Sequence, residues 1–214
     1  MKKNILYSLI LIGLSACNAG GNGSSSTCPV TAPQFSADIG TALINAWGTN
    51  VYYYSPYGSG GYTDPYLGAA YFTAAQYFSD AVLLPTVSPT TRVGSQAIYN
   101  YFTSFLAHGP QMTNNPGTPQ SGGPYITQAG CGYGVISGYY NFTFADGTAP
   151  ANARYTFQFQ YSTAINNIAI TVESGTESGK TLNILQTPGK WYIMLQNSAT
   201  LPSSFGLPQN LLVK

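Results

Sequence analysis

The sequence predicts an α+β domain with its helices first and its sheet after them. Apolar residues recur at helical spacing in three stretches before residue 107, and they alternate at strand spacing from residue 132 onward. Helices grouped before strands favour α+β over a doubly wound sheet, in which the two would alternate.

The first helix is expected over Asp38 to Gly48. Ile39, Ala42, Leu43, Ala46 and Trp47 fall at i, i+3, i+4, i+7 and i+8, with Ser36 placed to cap it and Gly48 to stop it. Residues 49–66 hold Tyr52, Tyr53, Tyr54, Tyr57, Tyr62 and Tyr66 among Gly, Ser and Pro, and read as a Tyr-rich loop. Asp64-Pro65 has the form of an N-cap followed by Pro at the first helical position. It would open a second helix, Tyr66 to Phe78, burying Leu67, Ala70, Tyr71, Ala74 and Phe78. Ala81-Val82-Leu83-Leu84-Pro85 is a short buried strand ended by Pro. Gly94 to Ala107 is the third helix, with Ile98, Tyr101, Phe102, Phe105 and Leu106 on one face; His108-Gly109-Pro110 ends it.

The period then changes. Residues 109–130 are rich in Pro, Gly, Asn and Gln, with a short strand expected at each end. Gly132 to Phe144 puts Ile136, Tyr140, Phe142 and Phe144 on one face, and Asp146-Gly147 is a turn signal. Arg154 to Tyr161 alternates Tyr155, Phe157, Phe159 and Tyr161 against Arg154, Thr156, Gln158 and Gln160. Ile168, Ile170 and Val172 alternate as well. Leu182 to Leu185 and Trp191 to Gln196 complete a sheet of four to six antiparallel strands.

Composition narrows the function classes. Only 6% of the 214 residues are charged, against about 25% in ordinary soluble proteins. With 44% hydrophobic residues and 18 tyrosines the chain can build a core, so high-charge disorder is excluded. Net charge is +1 with no Lys/Arg cluster, which argues against nucleic acid as a partner. Kinase chemistry is dismissed too, since no Gly-rich loop, catalytic loop or metal-binding kinase motif is present.

The N-terminus points to export. Lys2 and Lys3 precede an apolar run, Ile5 to Leu14, that is too short to span a bilayer as a helix but suits a signal peptide. Leu14-Ser15-Ala16-Cys17 resembles a bacterial lipobox, in which cleavage before the Cys leaves it lipidated; an ordinary secretory signal is the alternative. The lipoprotein reading makes residues 1–16 the signal peptide and 17–34 the lipidated Cys17 with a flexible tether. The folded domain is then 35–214, anchored to a membrane in the cell envelope. Asn18 favours the outer membrane over the inner one. Loss of Lys2 and Lys3 leaves five basic and six acidic residues, a net charge of −1. Cys28 and Cys131 then remain as an even pair in an oxidising compartment, and are read either as a disulfide or as two buried thiols. No Cys/His spacing suggests zinc, and no metal or cofactor is expected.

Four segments carry a family likeness. They are "AVLLPTVS" (Ala81 to Ser88), "YFTSFL" (Tyr101 to Leu106), "ARYTFQF" (Ala153 to Phe159) and "GKWYIMLQNSATLP" (Gly189 to Pro202). In this order they resemble the nuclear transport factor 2-like superfamily, and within it the association domain of calcium/calmodulin-dependent protein kinase II and its bacterial SnoaL-like relatives. The resemblance covers about two thirds of the mature chain. It implies a cone-shaped fold, in which a strongly bent antiparallel sheet wraps over three N-terminal helices and leaves a pocket open at one end. It also implies that a homodimer could form through the sheet. Some family members are enzymes and others only bind or assemble, and the fold does not choose between them. Three departures matter. Leu195, Gln196 and Asn197 stand where the family's final strand carries histidines. Residues 162–188 look like an added hairpin, and the Tyr-rich loop looks long.

Candidates for chemistry are few. His108 is the only histidine, and Asp38, Asp64, Asp80 and Asp146 all sit at helix ends or turns; no His/Asp dyad or paired carboxylate is visible in the spacing. No catalytic residue is assigned. By the resemblance, Arg154 matches an arginine that can point into the pocket and grip an anion, for which a guanidinium is suited. The alternation equally allows it on the outer, solvated face with Thr156 and Gln158. Gln196 and Ser198 match pocket-end positions, and Trp47, Tyr101 and Tyr139 are candidate lining residues. The leading function is a non-catalytic envelope lipoprotein that binds a small organic ligand or mediates protein association. The alternatives are an isomerase- or dehydratase-like enzyme acting on a small apolar substrate, which needs a carboxylate or His108 in the pocket, and a glycan-binding surface protein using the Tyr-rich loop.

Overall fold

The computed structural model describes residues 28, 32–53, 69–113, 124–173 and 177–200. The signal segment, Cys17, the tether to residue 27, most of the Tyr-rich loop and the Asp64-Pro65 cap lie outside them.

The first helix, α1 (Ala37–Tyr53), begins where Ser36 predicts: the Ser36 hydroxyl accepts a hydrogen bond from the Ile39 amide at 3.3 Å. It does not stop at Gly48. The helix runs on through Tyr52 and Tyr53, which the sequence places in the loop. Gly48 serves packing instead, since a Cβ there would lie 2.0 Å from the Met112 methyl. The buried stripe is Gly40, Ile44, Trp47, Gly48 and Val51, while Ala42 and Ala46 are exposed. Two glycines thus define a face that a count of apolar side chains misses.

The second helix ends earlier than its spacing predicts. Among the described residues α2 spans Ala69–Ala74, and Tyr77 and Phe78 begin a strand, β1 (Tyr77–Leu84). They pair into the sheet: Tyr77 lies opposite Ile193, whose amide donates to the Gln76 carbonyl at 2.8 Å. Aromatic residues suit this half-buried pleated surface, and the pairing overrides a short run of helical spacing. The helices therefore do not all precede the strands. After β1 come a short β2 (Arg92–Val93) and α3 (Gly94–Leu106). Beyond α3, Gly109 takes φ +61°, a conformation that glycine adopts freely, and turns the chain into β3 (Pro110–Thr113).

The remaining strands are β4 (Tyr125–Gly130), β5 (Tyr133–Phe144), β6 (Ala151–Tyr161), β7 (Asn166–Thr171), β8 (Thr181–Gln186) and β9 (Trp191–Thr200). Seven strands form one sheet in the order β2-β1-β9-β6-β5-β3, with β4 also pairing β5. The expected antiparallel pairing holds except between β1 and β9, which run parallel. Irregularities in β1–β9, β4–β5 and β6–β9 curl the sheet, and its end strands β2 and β3 do not meet.

The concave face is packed with aromatic rings. Along β6 the buried residues are Ala151, Ala153, Tyr155, Phe157 and Phe159, while Asn152, Arg154 and Gln160 are exposed. Trp47 of α1 lies against Phe157, Tyr140, Phe142 and Phe102, with ring centroids 5.3 to 6.5 Å apart. The separate β7–β8 hairpin covers the helices. Gln96 of α3 accepts from the Thr171 amide at 2.7 Å and donates to the Thr171 carbonyl at 2.8 Å, and Ile170, Val172 and Ile184 are buried beneath it.

At the N-terminal end, residues 33–35 attach to the bend between β4 and β5. The Phe35 amide donates to the Gly130 carbonyl at 3.0 Å, and the Gly132 amide to the Pro33 carbonyl at 2.9 Å. Of the two readings of the cysteines the disulfide is found. Cys28 and Cys131 are bonded, with Cα atoms 5.4 Å apart.

Candidate functional site

All the candidate pocket residues but Tyr101 fall into two groups on opposite faces of the sheet. Trp47, Gln196 and Ser198 lie inside the cone. Gln196 and Ser198 stand opposite Phe157 and Tyr155 on the inner face, and both are buried. The Trp47 indole N–H donates to the Tyr77 hydroxyl at 3.0 Å. Tyr77 in turn donates to Gln196 Oε1, and Gln196 Nε2 donates to Ser198 Oγ at 3.1 Å. Tyr140 joins through hydrogen bonds to Ser198 and Gln196, and pairs with the Thr86 hydroxyl at 2.9 Å. The sequence does not single out Tyr77, Tyr140 or Thr86. Tyr77 reads as helical there, and nothing in its spacing marks a hydrogen-bonded ring.

Burial holds the phenols of Tyr77, Tyr101 and Tyr140 above their ordinary range. They are neutral hydrogen-bonding groups over the whole working pH range. The connected set is indole, phenol, amide and hydroxyl, with no carboxylate or imidazole among them. It can orient and hold a polar group but offers no side chain able to take a proton near neutral pH.

Arg154 and Tyr139 lie on the other face. Of the two placements open to Arg154, the outer one is found: its side chain is exposed on the convex side of β6, opposite Tyr139 on β5 and Ala199 on β9. It borders a concavity of about 580 Å³ lined also by Tyr125, Ser137, Tyr139, Thr156 and Asn197. Ser137 and Thr156 hydroxyls are 3.1 Å apart across the strand pair. Arg154 makes no ion pair among the described residues, where the acidic partners are Asp146 to His108 and Glu177 to Lys180.

Tyr101 belongs to neither group. It is half-buried on α3 beside Arg92, whose guanidinium carbon lies 5.9 Å from the ring centroid. The structure also forms a His/Asp pair that the spacing hides. His108 Nδ1 lies 2.6 Å from Asp146 Oδ2, although 38 residues separate them. The end of α3 and the turn between β5 and β6 bring them together. Asp146 also accepts from the Thr148 amide at 2.9 Å. These bonds, His108's first, hold its carboxyl at about 2, below the ordinary carboxylate value of 3.8. The pair sits outside the cone, with His108 half exposed. Among the described residues no three His, Cys, Asp or Glu side chains cluster as metal ligands.

A solved structure shares this architecture. A protein from Xanthomonas campestris described as a calcium/calmodulin-dependent protein kinase II association domain aligns over 79% of this chain and 91% of its own, with 24% identity and a TM-score of 0.53. A ketosteroid isomerase-like protein from Erwinia carotovora atroseptica aligns over 75% and 95%, with 13% identity and a TM-score of 0.41. An uncharacterised protein with a cystatin-like fold from Caulobacter vibrioides covers 78% and 89%, at 14% identity and a TM-score of 0.39. No protein-family model and no curated protein matches the chain. The domain thus has the α+β cone of the nuclear transport factor 2-like fold. The likeness to the Xanthomonas protein fixes the architecture alone, since proteins of one fold differ in what they do.

Proposed function

We propose that the protein is a lipid-anchored protein of the bacterial cell envelope whose cone domain binds a small organic molecule and does not catalyse. The observation that carries this reading is the division of polar groups. Trp47, Tyr77, Gln196 and Ser198 inside the cone are bonded to one another, whereas Arg154 has no acidic partner among the described residues and borders a concavity of tyrosine, hydroxyl and amide groups. An unpaired guanidinium beside two phenol rings suits a ligand with an anionic group and an apolar body. Cleavage before Cys17 supplies the anchor, and Asn18 supports an outer-membrane address. A sheet-to-sheet homodimer would cover the same concavity, so ligand and self-association would compete there.

Native mass spectrometry of protein extracted from its own membrane tests the ligand. A small molecule should co-purify with the wild type and be lost from Arg154→Gln. Retention in that variant overturns the Arg154 site. Cys17→Ser should leave the membrane fraction; if it stays fully membrane-bound, the lipid anchor is refuted.

The isomerase- or dehydratase-like reading draws on one observation, the His108–Asp146 pair. It lacks a buried position for that pair, which would tune an acid or base for proton transfer in an apolar site.

A further inference from the structure

We propose a second ligand site, remote from Arg154: the groove between α3 and the loop joining β1 to β2 binds a small aromatic carboxylate. The groove encloses about 350 Å³, at the small end of small-molecule sites. Its walls carry the two groups that such a ligand needs.

The first is a fixed cation. Arg92 donates from Nη1 to the Thr90 carbonyl at 2.8 Å and from Nη2 to the Ser88 hydroxyl at 3.3 Å, and its guanidinium lies over Tyr101. These contacts hold the planar fork in one orientation and use two of its five N–H donors. No carboxylate among the described residues pairs with it. A ligand carboxylate would meet donors already aligned, so little side-chain freedom is lost on binding.

The second is an apolar wall. The rings of Tyr101 and Phe105 are stacked, with centroids 5.6 Å apart and planes 14° from parallel. Val87, 52% exposed, lines the groove from the loop side. His108 lines it at the end of α3. Asp146 occupies Nδ1 of that ring, which leaves Nε2 as the atom free for a polar substituent of the ligand. Inorganic phosphate could satisfy Arg92 but would leave the aromatic wall uncovered. A neutral aromatic would do the reverse.

Saturable binding of benzoate, followed by NMR of the Arg92 side-chain Nε–H and the His108 imidazole, tests the site. Benzamide and inorganic phosphate serve as the two incomplete probes. Benzoate should bind at least tenfold tighter than either, a difference of about 1.4 kcal/mol. Arg92→Gln should weaken the benzoate-induced shift of His108 at least tenfold, whereas a benzoate-induced shift at Arg92 and His108 should not depend on any contact made at the Arg154 concavity. Ser104 is exposed on α3 and lines the same groove, so Ser104→Trp should fill the space and abolish binding with Arg92 still present. Near-UV circular dichroism establishes that each variant is folded. The proposal is overturned if benzoate gives no saturable shift at Arg92 and His108, if phosphate shifts them as strongly as benzoate, if the His108 shift survives Arg92→Gln or Ser104→Trp, or if the shifts map to Arg154 and not to Arg92 and His108.

Discussion

Removing a single oxygen by Tyr77→Phe leaves two buried groups without their hydrogen bonds. The Trp47 indole N–H loses its acceptor, and Gln196 Oε1 loses its donor. Tyr77 and Trp47 are 0% and 1% exposed and Gln196 is 3% exposed, so water does not replace the lost partner. A buried polar group left unsatisfied costs about 1–3 kcal/mol. Two of them make the expected loss about 3 kcal/mol. For a domain of this size that is a fall in Tm of roughly 6–12 °C. Urea unfolding followed by far-UV circular dichroism measures it, with the slope expected to stay constant while the midpoint falls. Gln196→Met removes the facing acceptor, and the double variant leaves only the indole N–H orphaned. The two losses should therefore be non-additive by at least about 1 kcal/mol. A Tyr77→Phe protein within about 0.5 kcal/mol of the wild type, or an additive double variant, would refute the claim that these side chains form one closed network.

Three further outcomes follow from the same geometry. The Cys28–Cys131 bond spans 103 residues, so Cys28→Ser should destabilise the mature domain by about 4–5 kcal/mol in the chain-entropy account; an unchanged urea midpoint, or the same free-thiol count with and without reductant, tells against the bond. A Cβ at Gly134 would lie 2.1 to 2.5 Å from carbons of the Phe35 ring, which Phe159 and Trp191 hold in place, so Gly134→Ala should cost about 3 kcal/mol by the same unfolding assay. Because the folded Asp146 carboxyl titrates at about 2 and its ordinary value is 3.8, the pair adds stability above pH 4 that is lost as pH falls from 4 to 2. In His108→Ala the Asp146 midpoint, read from carboxyl NMR shifts, should move up; an unmoved midpoint removes His108 as the main cause.

The elements most legible in the sequence were those whose burial is strictly periodic. The faces of β6 follow directly from Tyr155, Phe157 and Phe159 alternating with Arg154, Thr156 and Gln158, because successive strand residues point to opposite sides. The third helix is equally clear, since Ile98, Phe102, Phe105 and Leu106 form one buried stripe. Glycines misled, because their role at Gly48 is to admit the Met112 side chain, a contact 64 residues away along the chain (112 minus 48). Tyr77 misled for a related reason. Helical spacing is a local signal, and the parallel pairing with β9 that makes it a strand is not.

Composition, strand alternation and the likeness carried by four short segments determined the α+β class, and the lipoprotein reading of Cys17 left Cys28 and Cys131 as a pair open to a disulfide or to two thiols. These features are local or additive, so they can be read along one dimension. The tertiary structure alone separated Arg154 from Gln196 and Ser198, which sequence likeness had drawn into a single pocket. It also brought His108 to Asp146, and set Arg92 beside Tyr101 in a groove. Each of those relations depends on which face of the sheet the helices cover and on how distant strands register. Burial of the whole aromatic core decides both, and no single segment encodes that packing.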